Sequence, residues 1–151
     1  MNNEQMGRIP QSKSLKSINE KLPTKKDKII FDEITINNQF HNTRELSTLP
    51  VEIAKIIAKQ EGKGIWLDGL TSISDSAAFY LSKHQGSLKL DGLTSISENA
   101  AKHFAMYKGV LSMKGLVSIT DEAARYLYNH HGILRLNDTI QAQVDKVGKN
   151  K

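Results

Sequence analysis

The stretch Leu67-Asp68-Gly69-Leu70-Thr71-Ser72-Ile73-Ser74 recurs letter for letter as Leu90-Asp91-Gly92-Leu93-Thr94-Ser95-Ile96-Ser97. A looser copy, Met113-Lys114-Gly115-Leu116-Val117-Ser118-Ile119-Thr120, follows at the same spacing of 23 residues. A fixed period of this length means one supersecondary unit stacked on copies of itself, each burying a face that it cannot bury alone. Aligning on the period gives three full units, Ile65–Ser87, Leu88–Val110 and Leu111–Ile133. A fourth begins with Leu134-Arg135-Leu136 and then loses the pattern.

Each unit opens with alternation, in Ile65/Leu67, Leu88/Leu90 and Leu111/Met113, which predicts a strand with one buried face. Gly69, Gly92 and Gly115 come next, at a turn that needs either positive φ or close backbone approach. The second half of the unit predicts a helix. Ser74, Ser97 and Thr120 stand at the N-cap, where a hydroxyl accepts from a free first-turn N–H. Asp75, Glu98 and Asp121 follow, where the helix dipole favours negative charge. Ala78/Leu81, Ala101/Phe104 and Ala124/Leu127 then mark the inward stripe, and the alanine pairs leave room for neighbouring helices to crowd. Gly86, Gly109 and Gly132 end the units as expected αL C-caps.

Around these units the pattern degrades as end units should. Leu46 to Ala54 matches Leu70 to Ala78 at an offset of 24, with Pro50 near the helix start and Ile53, Ile56 and Ile57 facing inward. Ile29–Phe31 and Ile34–Ile36 alternate as a capping strand or hairpin, and Ile140 and Val144 within Thr139–Val147 suggest a short capping helix. The expected organisation is a basic tail over 1–28 and a repeat domain over 29–147. The domain divides into a cap with a degenerate repeat (29–64), three repeats (65–133) and a C-terminal cap (134–147), with a tail at 148–151.

The chain of 151 residues fits one domain, and 38% apolar content builds a modest core. Cysteine is absent, which excludes disulfides and thiolate metal sites. Residues 1–28 hold seven Lys/Arg against three Asp/Glu, and 145–151 hold three lysines against Asp145. The net charge of +5 therefore belongs to the ends, and the repeats themselves are near neutral. That argues against a basic nucleic-acid surface on the repeats and leaves the tail as the alternative site for nucleic acid or an acidic partner. No apolar run is long enough for a membrane span or a secretory signal, so a cytoplasmic protein with no membrane partner is the expectation.

The pattern L-x-L-x-G-L-x-S-I-[ST]-x-x-A-A resembles the leucine-rich repeat, in particular bacterial variants of about this repeat length. The likeness covers about residues 43–137. It implies an α/β fold, a small curved solenoid of strand–helix units with a parallel sheet on the inner face, and a protein-binding role. Leu70, Leu93 and Leu116 occupy the position where the family usually carries Asn or Cys, so its asparagine ladder is absent here.

The outward strand positions are Gly64/Trp66/Asp68, Ser87/Lys89/Asp91, Val110/Ser112/Lys114 and Ile133/Arg135/Asn137. Trp66, Asp68, Lys89, Asp91, Ser112, Lys114, Arg135 and Asn137 are the candidate partner-binding residues. Trp66 is the expected anchor, since Trp and Arg are enriched at binding hot spots. The opposing reading covers Trp66 with the capping segment from Ile29 to Phe40. No metal-ligand spacing, nucleophile elbow, phosphate loop or dinucleotide motif occurs, so neither catalysis nor a cofactor is expected. His84 and His130, with Tyr107 at the equivalent position between them, fall at helix C-termini, where the dipole favours a cation. The tyrosines are expected to be partly buried between helices with their hydroxyls in water. The abrupt end at Leu136 also admits a homo-oligomer that continues the array through an exposed last strand.

Overall fold

The computed structural model describes Lys25, residues 40–41, 47–60 and 64–149. The expected tail over 1–28 lies outside the described residues apart from Lys25, as do the Ile29–Ile36 cap, Leu46 and the tip of the chain. Strands and helices alternate: β1 (Phe40–His41), α1 (Val51–Ala58), β2 (Ile65–Trp66), α2 (Asp75–Leu81), β3 (Ser87–Lys89), α3 (Glu98–Ala105), β4 (Val110–Ser112), α4 (Asp121–Tyr128), β5 (Ile133–Arg135) and α5 (Asp138–Lys149). The strands form one parallel sheet in the order β1-β2-β3-β4-β5. From β2 onward the register advances one repeat per strand, with Ile65 beside Leu88, Leu88 beside Leu111 and Leu111 beside Leu134. β1 was not foreseen as a strand. Its Phe40 pairs with Ile65 at an offset that breaks the 23-residue spacing.

The core lies between sheet and helices. Leu67, Leu90, Met113, Leu70, Leu93 and the three alanine pairs are all solvent-free or nearly so. Ile53 and Ile57 of α1 join them, and Ile56 packs at the margin. Successive helices pack against one another along the array, as the alanine pairs permit.

Each N-cap works as the sequence suggests: Ser74 accepts from Ala77 N–H at 3.1 Å, Ser97 from Ala100 at 3.0 Å and Thr120 from Ala123 at 3.1 Å. The same hydroxyls also donate backwards. Ser97 donates to the Asp75 carboxylate, and Thr120 donates to Glu98 at 3.1 Å. Gln143 of α5 continues the series by donating to Asp121 at 3.0 Å. First-turn acids thus serve two ends, offsetting the dipole of their own helix and tying the next one. The ties hold the Asp75 carboxyl below the usual carboxylate range, the Ser97 hydroxyl first and the Asn99 amide second.

Three expectations need correction. The helices do not end on αL glycines: Ser82 and Met106 are αR C-caps, and Gly86 alone among the described glycines has positive φ, 148°. Gly109 and Gly132 are required for another reason. A Cβ at either would run into the backbone carbonyl of the preceding repeat, that of Gly86 or Gly109. Second, the C-terminal helix spans Asp138–Lys149, longer at both ends than expected, because Asn137 caps it by accepting from Ile140 N–H at 3.0 Å. Leu134 and Leu136 pack partly buried against the core beside it.

Third, the column of His84, Tyr107 and His130 is not a set of exposed cations. His84 and Tyr107 are buried, and the Tyr107 hydroxyl donates to the Gly86 carbonyl rather than to water. Burial pushes its pKa up to about 12. His130 contacts the Phe104 carbonyl through Nδ1 at 2.9 Å. Burial lowers its pKa despite the raising effect of the Phe104 and Gly109 carbonyls, so the ring is held neutral. The low-dielectric setting outweighs the dipole.

Candidate functional site

The sheet aligns one row of side chains on its outer face. Trp66 stands opposite Lys89, Lys89 opposite Ser112, and Ser112 opposite Arg135. Backbone pairing places His41 of β1 beside Trp66, a neighbour that sequence periodicity misses because of the altered offset. Trp66 is 48% exposed, and its ring lies beside Gly64. The segment that the opposing reading lays over it, Ile29 to Phe40, lies outside the described residues save for Phe40. Arg135 and Lys114 are exposed, with no ion-pair partner among the described residues.

The other candidates carry structural bonds. Asp68 accepts from Asp91 N–H at 3.1 Å and from the Lys89 ammonium at 2.7 Å. One repeat later Asp91 accepts from Lys114 N–H at 2.9 Å and from the Ser112 hydroxyl at 2.6 Å. Lys89 also lies 3.6 Å from Asp91. An aspartate ladder therefore ties the turns that lack the asparagine ladder. Asn137 ends it by donating to the carbonyls of Lys114 at 2.9 Å and Leu116 at 2.7 Å. Ser112, expected to face outward, is only 7% exposed because Asp91 draws it down. Ile133, 57% exposed on the same face, adds an apolar group that composition alone did not single out. Its signal was available: it is the apolar residue at the position held by Ser87 in the first unit.

Burial works against ionisation of Asp91, but the Lys114 N–H, the Ser112 hydroxyl and the charges of Lys89 and Lys114 outweigh it. Its carboxyl is held below the ordinary carboxylate range. A depressed carboxyl contributes stability that is present above the unfolded pKa and lost as pH falls through the folded one. His130, also depressed, acts in the same direction below its ordinary value of 6.5, because the unfolded chain takes up the proton first. Asp91→Asn keeps an oxygen for the ladder but cannot titrate. Urea midpoints measured at neutral pH and at about pH 3 should therefore fall less in Asp91→Asn than in the wild type. An equal fall would show that the ladder carboxylate adds nothing to acid sensitivity.

Two grooves among the described residues lie elsewhere. One is bordered by Lys83, His84, Met106 and Lys108, another by Asp121, Arg125 and Gln143, and neither takes a residue from the row. Among the described residues no three His, Asp or Glu side chains converge as metal ligands, and no helix is long and apolar enough to cross a membrane. No family model, curated protein or solved structure matches the chain.

Proposed function

We propose that the protein is a non-catalytic recognition module, a small leucine-rich-repeat-like solenoid that binds a protein partner through its inner strand surface, the face of the parallel sheet turned away from the helices. The observation that carries this reading is the row in register from Trp66 to Arg135. Its end residues vary between units and stand free, while the repeated letters are spent on core, caps and ladders. A strip of this kind suits a macromolecular surface better than a small ligand, which favours an enclosed, mostly apolar pocket. An exposed tryptophan and an arginine with no ion-pair partner among the described residues, together on one face, are the residue types that anchor interfaces.

Affinity capture from native lysate, comparing the wild type with Trp66→Ala/Arg135→Ala and with Lys108→Ala on the helix side, tests the reading. A specific partner should be retained by the wild type and Lys108→Ala and lost by the double variant, with thermal unfolding unchanged. Equal capture by all three would sink the sheet-face reading.

A further inference from the structure

We infer that the sheet face selects an extended peptide segment that crosses the strands, with an apolar side chain on Trp66 and a carboxylate on Arg135 four residues away. This rests on the sheet-face reading and adds the chemistry of the partner. The spacing comes from the register. Trp66 and Arg135 are separated by three steps between neighbouring strands, through Lys89 and Ser112. At about 4.8 Å per step the two anchors lie about 14 Å apart. An extended chain advances about 3.4 Å per residue and returns its side chains to one side every second residue. Residues i and i+4 of such a peptide therefore point the same way at about 13.5 Å, matching both distance and parity.

The charge demand follows from which groups are already matched. Asp68 and Asp91 each accept a backbone N–H of the next turn together with a side-chain donor, so neither calls for a cation from outside. Lys89 is held between those two carboxylates, and Ser112 is buried beneath Asp91. The middle of the row is thereby self-satisfied, its two carboxylates answered by Lys89 and by the charge of Lys114 acting on Asp91. Among the described residues of this face, the charge left unanswered is that of Arg135, at one end of the row. A single carboxylate there completes the set, and a guanidinium takes it bidentately. A nucleic-acid strand fits poorly, because its successive phosphates would pass over Asp68 and Asp91.

Selection of phage-displayed random peptides on the full chain tests the inference. Enriched peptides should share an apolar residue and an Asp or Glu four positions apart. Selection on Arg135→Glu should replace the acid by Lys or Arg, and that variant should bind the wild-type peptides roughly tenfold more weakly or worse. Selection on Trp66→Ala should lose the apolar preference. Failure to enrich, enrichment without the spaced acid, an acid preference that survives Arg135→Glu, or displacement of the peptides by single-stranded DNA would each overturn it. The two readings fail separately. If the double variant loses its natural partner while selected peptides lack the spaced acid, the face still binds but its chemistry has been misassigned. If capture is unchanged in the double variant, the sheet face itself is wrong.

Discussion

Leu90→Asp is expected to leave the chain unfolded at room temperature. Leu90 has no solvent exposure, and its N–H donates to the Ser112 carbonyl at 2.8 Å, fixing it in the middle unit of the array. Truncation alone forfeits the burial of a leucine, about 1.5–3 kcal/mol. The carboxylate then adds an unpaired charge with no donor in reach, a cost of several kcal/mol more, whether as desolvation or as enforced protonation. Together these rival the roughly 5–15 kcal/mol that holds a whole domain. The residue next to it gives the contrast. Lys89 is exposed, and its ion pairs with Asp68 and Asp91 face water. Asp68 and, more weakly, Asp91 hold its ammonium above the ordinary value, but exposed pairs of this kind contribute only about 0–1 kcal/mol. Lys89→Ala should shift the melting temperature by a few degrees at most, roughly 2–4 °C for each kcal/mol lost. Circular dichroism melts of both variants decide the matter. Comparable losses at Leu90 and Lys89 would mean that the buried and exposed sides of the chain at the end of β3 have been exchanged.

What could be read from the letters is what physics forces to repeat. The caps at Ser74, Ser97 and Thr120 were legible because a helix start has few chemical solutions, and Leu67, Leu90 and Met113 because strand alternation leaves one face for the core. The row from Trp66 to Arg135 followed from the constant period, which converts sequence offset into strand register. The row ceased to be predictable where the period changed, at Phe40 and His41. Outward position proved an incomplete guide to availability. Asp68 and Asp91 point out as candidates should, yet they hold the turns of the next unit. Their membership in the phrase shared by the first two units carried that information, since a side chain kept at one place in successive units serves the contact between them. Ser112 disappeared from the surface because its neighbour is an aspartate, a tertiary fact that alternation cannot encode. The histidine column failed for a similar reason: a helix end favours a cation only while it stays wet, whereas His84 is buried and burial lowers the pKa of His130.

The glycines were ambiguous for a further reason, because positive φ and close backbone approach call for the same residue, and that ambiguity yields the second large effect. Gly115→Ala should destabilise the protein by about 1–3 kcal/mol, the range for forcing extra volume into a packed site. Ordinarily the change from Gly to Ala stabilises by about 0.4–1 kcal/mol through the unfolded chain, so the sign itself is diagnostic. Here a new Cβ would overlap the Asp91 carbonyl oxygen. That carbonyl is backbone and cannot rotate away. The turn that carries it is held on both sides, by Lys114 N–H on the Asp91 carboxylate at 2.9 Å and by Leu90 N–H on Ser112 at 2.8 Å. Relief therefore requires the second and third units to separate, loosening the Val117 N–H bond to Thr94 of 2.8 Å on the far side of the same turn. Gly64→Ala is the matched control. Its Cβ would meet the Trp66 ring at 3.3 Å, and an exposed side chain can swing aside where a backbone cannot. Urea midpoints should fall for Gly115→Ala and hold or rise for Gly64→Ala, with amide exchange at Lys114 and Val117 accelerated only in the former. A Gly115→Ala protein as stable as the wild type would refute the close stacking of these turns, and with it the rigid spacing that sets Trp66 and Arg135 apart on the sheet.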